Sequence, residues 1–222
     1  MKTALVTGGS RGIGRAVAEA LATDHHLLIG GRDPGQVARA VAALPSAEPF
    51  CCDLTDDAAL AAAVARIESL DVLVHSAGVS PLGSIADTTP EAWRGVLEVN
   101  LVAPANLTRL LLPALRRVNG LIVFVNSGAG FTARPGWGAY AASKFGLRAL
   151  ADALRAEEAK VRVTSIHPGR TDTEMQQAIL AHEGAAYRPE RLLSPAAVAA
   201  TVRLAVDAPA NASVDTLSIR PI

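Results

Sequence analysis

Cysteine is nearly missing from this chain of 222 residues: there are two, adjacent at Cys51 and Cys52. Vicinal thiols are a poor disulfide framework and a poor metal-ligand set, so a disulfide-stapled domain is excluded and the pair reads as small apolar strand residues. An excess of charge is missing too. Lys and Arg number 21, Asp and Glu 21, and no long block carries one sign. That argues against a nucleic acid or an anionic membrane as partner and leaves a small or neutral molecule as the expectation. No apolar run reaches the roughly 18 residues of a membrane-spanning helix. The opening MKTALVTGG passes straight into a β-like segment, without the charged, apolar and cleavage regions of an export signal. The expectation is a soluble, cytoplasmic protein. The five histidines show no metal spacing such as HExxH, so no metal site is expected. His25 and His26, at the entrance of a predicted strand, are expected to be solvated or capping.

What is present is a steady alternation. Half the residues are hydrophobic, enough for one sizeable domain over residues 1–222, and no repeat, proline-rich linker or low-complexity stretch divides it. Short β-branched or leucine-rich runs at 3–7, 26–30, 49–52, 72–75, 121–125, 162–166 and 216–219 predict strands. Alanine-rich segments at 12–22, 34–43, 56–68, 90–117, 137–158 and 195–206 predict helices. Thr89 before Pro90 and Ser194 before Pro195 each place a hydroxyl at the N-cap and proline at the first helical position. Strands that are apolar throughout are buried on both faces. The fold class this implies is α/β: a single doubly wound Rossmann-type domain with a seven-stranded, mostly parallel sheet.

Two stretches carry chemistry. In GAYAASKFG, residues 138–146, a helix would set Tyr140 and Lys144 side by side on one face. An ammonium beside a phenol favours its ionised form and brings it closer to acid–base use near neutral pH. The same spacing also makes ordinary amphipathic surface pairs, and the pattern alone does not separate the two. In TGGSRGIG, residues 7–14, Gly8, Gly12 and Gly14 follow a predicted strand and open a predicted helix. Glycines there permit a tight turn and close approach of a pyrophosphate, which the helix N-terminus attracts.

With these motifs in this order the sequence resembles the short-chain dehydrogenase/reductase family. Thr7, Gly8, Gly12, Ile13 and Gly14 match its glycine pattern; Asp53 in CCDL, with Leu54 beside it, resembles its aspartate after the third strand. HSAG at 75–78 stands where the family has Asn-Asn-Ala-Gly, keeping Ala77 and Gly78 but placing His75 and Ser76 at the two asparagines, which puts a strand-linking hydrogen bond in doubt. Asn100 in LEVNL, Ser127 thirteen residues before Tyr140, the Tyr140-to-Lys144 pair, and Pro168, Gly169 and Thr173 complete the match, from residue 3 to about 173. The segment between Asp172 and Ser194 is short for the family, and the last strand lacks its usual Asp-Gly-Gly. A substrate lid and an oligomer contact are therefore expected to differ.

What the resemblance implies is hydride transfer between a nicotinamide and a carbonyl or alcohol carbon. Tyr140 would donate the proton, Ser127 would hold the carbonyl oxygen, Lys144 would hold the nicotinamide ribose, and Asn100 would anchor a water leading to Lys144. Thr173 and the backbone at Thr171 would hold carboxamide and pyrophosphate, though Thr173 also reads as a helix cap; Ser10 belongs to the glycine turn. Segments after Ser127 and Gly169 nominate Ala129, Phe131, Trp137, Met175 and Tyr187 as pocket walls. His167 is expected to be a hydrogen-bonded structural imidazole, and Asn126 an idle neighbour of Ser127. The second strand ends LLIGGRD, so Gly31 occupies the place of the acid that would receive the ribose of NAD, and Arg32 follows it. With Arg11 in the glycine turn, this points to NADP(H). The alternative is that both arginines are solvated and Asp33 turns back to the ribose, selecting NAD. A catalytically silent dinucleotide-binding sensor is the competing function. Leu107, Leu111, Leu150 and Leu154 are expected to extend an apolar face for a homodimer or homotetramer.

Overall fold

The computed structural model describes all residues, Met1–Ile222. Its seven strands are β1 (Lys2–Thr7), β2 (His25–Gly31), β3 (Ala47–Cys51), β4 (Val72–His75), β5 (Leu121–Val125), β6 (Arg162–Pro168) and β7 (Thr216–Ile219). They form one sheet in the order β3-β2-β1-β4-β5-β6-β7, every neighbouring pair parallel. The cause is in the central strands: β4 and β5 are buried at every position, so both faces of the sheet must be covered by helices. Alternate residues of β1 go to opposite sides. Ala4 and Val6 meet Val17 and Leu21 of helix α1 (Gly12–Leu21) and Val198 and Val202 of α8 (Pro195–Val206). Leu5 meets the other layer, which includes Leu60 of α3 (Asp57–Val64), Leu107 and Leu111 of α5 (Ala103–Val118) and Leu147 of α6 (Gly138–Glu157). No helix is long and apolar enough to cross a membrane.

Caps end where the sequence puts them. The Thr89 hydroxyl accepts from the Ala92 amide at the start of α4 (Pro90–Leu97), and the Ser194 hydroxyl from Ala197 at the start of α8. Asp33 does the same for α2 (Pro34–Ala42), accepting from Gln36. Three expectations need correction. The single helix expected over 90–117 is broken by a π turn, Glu98–Val102, between α4 and α5. A further helix, α7 (Glu174–His182), lies where the sequence carries no strong periodic signal beyond its cap, Thr173. Leu107, Leu111 and Leu154 are buried in the chain's own core and Leu150 packs against it, so they offer no free face.

His25 and Cys51 also differ from expectation. His25 is buried, its Nδ1 2.8 Å from Asp24, whose carboxylate is gripped in turn by Arg203 of α8 at 2.6 and 2.8 Å. Cys51 ends β3 exposed and Cys52 is buried just beyond it.

His75 is buried between the sheet and α5: its ring stacks on Phe124 at 4.8 Å, Nε2 lies 2.9 Å from the Thr108 hydroxyl, and Nδ1 has no partner. Burial pushes its pKa down from 6.5 to about 3. The folded chain therefore keeps His75 neutral at pH values where the unfolded chain has protonated it, and stability falls as pH drops below about 6.5, by about 1.4 kcal/mol per unit. Urea unfolding should weaken by about 2–3 kcal/mol between pH 6.5 and 4.5 from this group. His75→Phe should flatten that slope; equal slopes in both proteins would refute the account.

Candidate active site

Chain turns at the C-terminal ends of the strands surround a cleft of about 660 Å³, at the point between β1 and β4 where strand order reverses. The turn from β1 to α1 forms its floor. Gly8 and Gly12 have φ of 64° and 54°, and a Cβ on Gly14 would stand 2.3 Å from the Gly8 carbonyl oxygen, so the close crossing requires glycine. Side chains cap α2, α3, α4, α7 and α8, whereas α1, with Arg11 at its N-cap, has no side-chain cap, like α5 and α6. Its first-turn amides are left for an anion. The residues present thus fit a dinucleotide pyrophosphate.

Most of the expected cofactor residues meet on this cleft. Gly8, Ser10, Arg11, Gly12, Ile13 and Gly14 line it, with Arg32, Asp53, Leu54, Ala77, Gly78, Tyr140, Lys144 and Thr173. Asn100, Ser127, Pro168, Gly169 and Thr171 are not on its wall. Thr171 is buried, its hydroxyl donating to the Gly169 carbonyl, and Thr173 both caps α7 and faces the cleft. The link lost with the asparagine at position 75 is made elsewhere. Thr7 Oγ1 accepts from the amides of Ser76 and Ala77, at 3.1 and 3.2 Å, and so ties the end of β1 to the end of β4. The sequence reading missed this hydroxyl, although a threonine closing an apolar strand was its visible sign.

Tyr140 and Lys144 lie in the first two turns of α6, both buried. Burial raises the Tyr140 pKa above the usual phenol value while the neighbouring Ser127 hydroxyl pulls the other way, so the phenol is held protonated at neutral pH. Lys144 does not lower it here: Nζ is 5.8 Å from the ring centroid and donates to the Val125 carbonyl at 3.1 Å. Burial brings Lys144 itself down to about 8. Ser127 Oγ accepts from the Ala129 amide at 3.1 Å, which leaves its own proton to donate. Asn100 sits in the π turn, its Oδ1 accepting from the Val79 amide and its Nδ2 donating to Val79 O and Ser143 Oγ. Ser143 Oγ donates in turn to the Tyr140 carbonyl at 2.7 Å. A phenol held as an acid, a hydroxyl free to donate and an ammonium beside a dinucleotide-sized cleft can together deliver a proton to an oxyanion.

The profile of the family described as short chain dehydrogenase matches residues 2–184. The chain belongs to the short-chain dehydrogenase/reductase family. It is thus an oxidoreductase of that family. Dehydrogenase/reductase SDR family member 7B of Mus musculus is 36% identical over 199 residues, 82% of this chain and 62% of that protein's length. An alcohol dehydrogenase from the archaeon Thermococcus sibiricus, complexed with 5-hydroxy-NADP, superposes with a TM-score of 0.91 at 27% identity, covering 100% of this chain and 97% of that one. An actinorhodin polyketide ketoreductase solved with NADPH gives 0.89 at 26%, covering 99% and 96%.

The rim of this short-chain dehydrogenase/reductase site keeps only part of the expected pocket walls. Among the expected pocket walls, Met175 lines the cleft and Trp137 stands edge-on to the Tyr140 ring at 5.7 Å. Phe131 instead covers His167, Ala129 is buried, and Tyr187 turns away to donate to Asp172 at 2.6 Å. Arg11 reaches across the mouth to Glu174 at the start of α7, a pair missed in the sequence because 163 residues separate its members. Both side chains are about two-thirds exposed, which makes the pair weak and exchangeable.

Proposed function

We propose that this chain reduces a carbonyl compound to an alcohol with NADPH as reductant. The observation that carries the reading is the buried Tyr140 hydroxyl, neutral and beside Ser127, at the inner end of the cleft. A bound nicotinamide supplies the hydride. Tyr140 gives its proton to the carbonyl oxygen, to which Ser127 donates a hydrogen bond that fixes it against the phenol. Lys144 would hold the nicotinamide ribose, and the π turn at Asn100 is where a water reaching Lys144 would be anchored. Gly8, Ser10, Gly12, Ile13, Gly14 and Thr173 would hold the pyrophosphate side, with Asp53, Leu54, Ala77 and Gly78 along the adenosine; Pro168, Gly169 and Thr171 would shape the nicotinamide end from behind.

Two observations support NADP(H) over NAD(H). Gly31 ends β2 and Arg32 follows it where an acid would select NAD, and Asp33 Oδ1 accepts from the Gln36 amide as the α2 cap, which lowers the Asp33 pKa. The neighbours solved with NADPH and 5-hydroxy-NADP favour the same choice. Trp137, Met175 and exposed Ile85 give the rim an apolar character, which suits a ketone or quinone with an apolar body. The test is loss of reduced-cofactor absorbance over a panel of ketones, aldehydes and quinones with each cofactor. Consumption of NADPH supports the proposal; binding without consumption on any of them would favour a silent sensor.

For assembly we propose a homodimer, or a tetramer built from it, through the outward face of α6, where Ala142, Phe145, Ala149 and Ala153 are exposed. Sedimentation should give at least twice the monomer mass at micromolar concentration; a pure monomer would refute it.

A further inference from the structure

Asn126, beside Ser127, is a polar residue directly after the wholly apolar strand β5, and it is 4% exposed. Its amide is divided between two parts of the site. Oδ1 accepts from the Ser127 amide at 2.9 Å, and Nδ2 donates to the Lys144 carbonyl at 3.2 Å. Space for this is kept by Gly130, where a Cβ would lie 2.8 Å from Asn126 Oδ1 and 3.0 Å from Lys144 O. The opposite side of Ser127 is held by His167, whose Nδ1 is 3.0 Å from the Ser127 carbonyl. A carbonyl only accepts, so Nδ1 carries the proton; Nε2 is then free to accept from Ser165 Oγ, also at 3.0 Å. The imidazole is buried, with the Phe131 ring 4.1 Å away.

We infer that Asn126 and His167 are positioning residues for the reaction: they hold the two peptide groups that flank Ser127, and Asn126 couples Ser127, just beyond β5, to Lys144 on α6. This rests on the proposal that Ser127, Tyr140 and Lys144 carry the chemistry. His167 is off the cleft wall, whereas Asn126 lines it, so NADPH affinity is what separates a direct cofactor contact from positioning. Their effect is on distance: the Ser127 hydroxyl and the Tyr140 phenol must meet one oxygen, and a shift of about 1 Å between such groups lowers rates roughly a hundredfold.

The test measures kcat, KM and NADPH affinity, the last by fluorescence titration, on the full chain with the panel ketone that the wild type reduces fastest. Hydrogen exchange at the Ser127 amide is followed without cofactor. Asn126→Ala should lower kcat ten- to a hundredfold, speed exchange at Ser127 and leave NADPH affinity within about threefold. His167→Phe should lower kcat about tenfold, and His167→Asn, whose amide can still donate to the Ser127 carbonyl, should recover most of it. If Asn126→Ala does not fold, Asn126→Asp carries the test, since it keeps the acceptor for Ser127 and loses the donor to Lys144. If Ser127→Ala and Tyr140→Phe lose turnover while the Asn126 and His167 variants stay within twofold of wild type, the inference is overturned and the proposed function stands. If Ser127→Ala and Tyr140→Phe also keep turnover, the proposed function falls and the inference with it.

Discussion

Replacing Tyr140 by Phe is expected to cut turnover by roughly 10²–10⁴-fold, the usual contribution of a general acid, while NADPH binding stays nearly intact. One hydroxyl is removed and the ring remains, so its edge-on packing with Trp137 at 5.7 Å and its place in the buried first turn of α6 are kept. The size of the effect follows from the surroundings. Burial holds the phenol protonated, one Lys144 N–H is taken by the Val125 carbonyl, and His167 has both ring nitrogens engaged. Single-turnover rates on a good substrate, beside cofactor affinity, decide the matter. A near-normal rate would remove Tyr140 from the reaction.

The second large effect concerns cofactor choice. Arg32→Asp should move the preference from NADPH toward NADH, with roughly ten- to a hundredfold lost from NADPH for each phosphate contact removed. Arg32 is exposed at the end of β2, so the exchange should leave the fold undisturbed. On the proposed function Arg11 would be a second contributor on leaving Glu174, and Glu174→Gln should then tighten NADPH modestly. Comparing kcat/KM for both cofactors in wild type and variant checks this. A wild type that prefers NADH, or a variant whose preference does not move, would defeat the assignment.

Much of this was legible beforehand because it rests on local rules. Seven apolar runs became seven strands, since a run such as LIVFV has no polar face to expose. Gly8, Gly12 and Gly14 announced a cleft floor because a Cβ at Gly14 has nowhere to go. What was not legible depends on contacts between distant segments. The bonds of Asn126 to Lys144 and of His167 to Ser127 join two strand ends and a helix, and although a hydrogen-bonded imidazole was expected at His167, nothing in NSGAG or SIHPG names the partners. The expected influence of Lys144 on Tyr140 went the same way: spacing put them on one face, but the ammonium found a carbonyl first. The leucines of α5 and α6 looked surplus only because periodicity does not say how thick the layer beneath them is.

The π turn at Glu98–Val102 amounts to one extra residue inserted into what would otherwise be a continuous helix from Pro90 to Val118. Each helical residue turns the chain by about 100°, so deleting any one residue there would restore a regular ladder only by rotating α4 through that angle relative to α5. Asn100 would lose Val79 and Ser143 together, and with them its tie to the Tyr140 carbonyl. Substitutions along this segment should be absorbed one side chain at a time, whereas a change of length is felt across the whole catalytic wall.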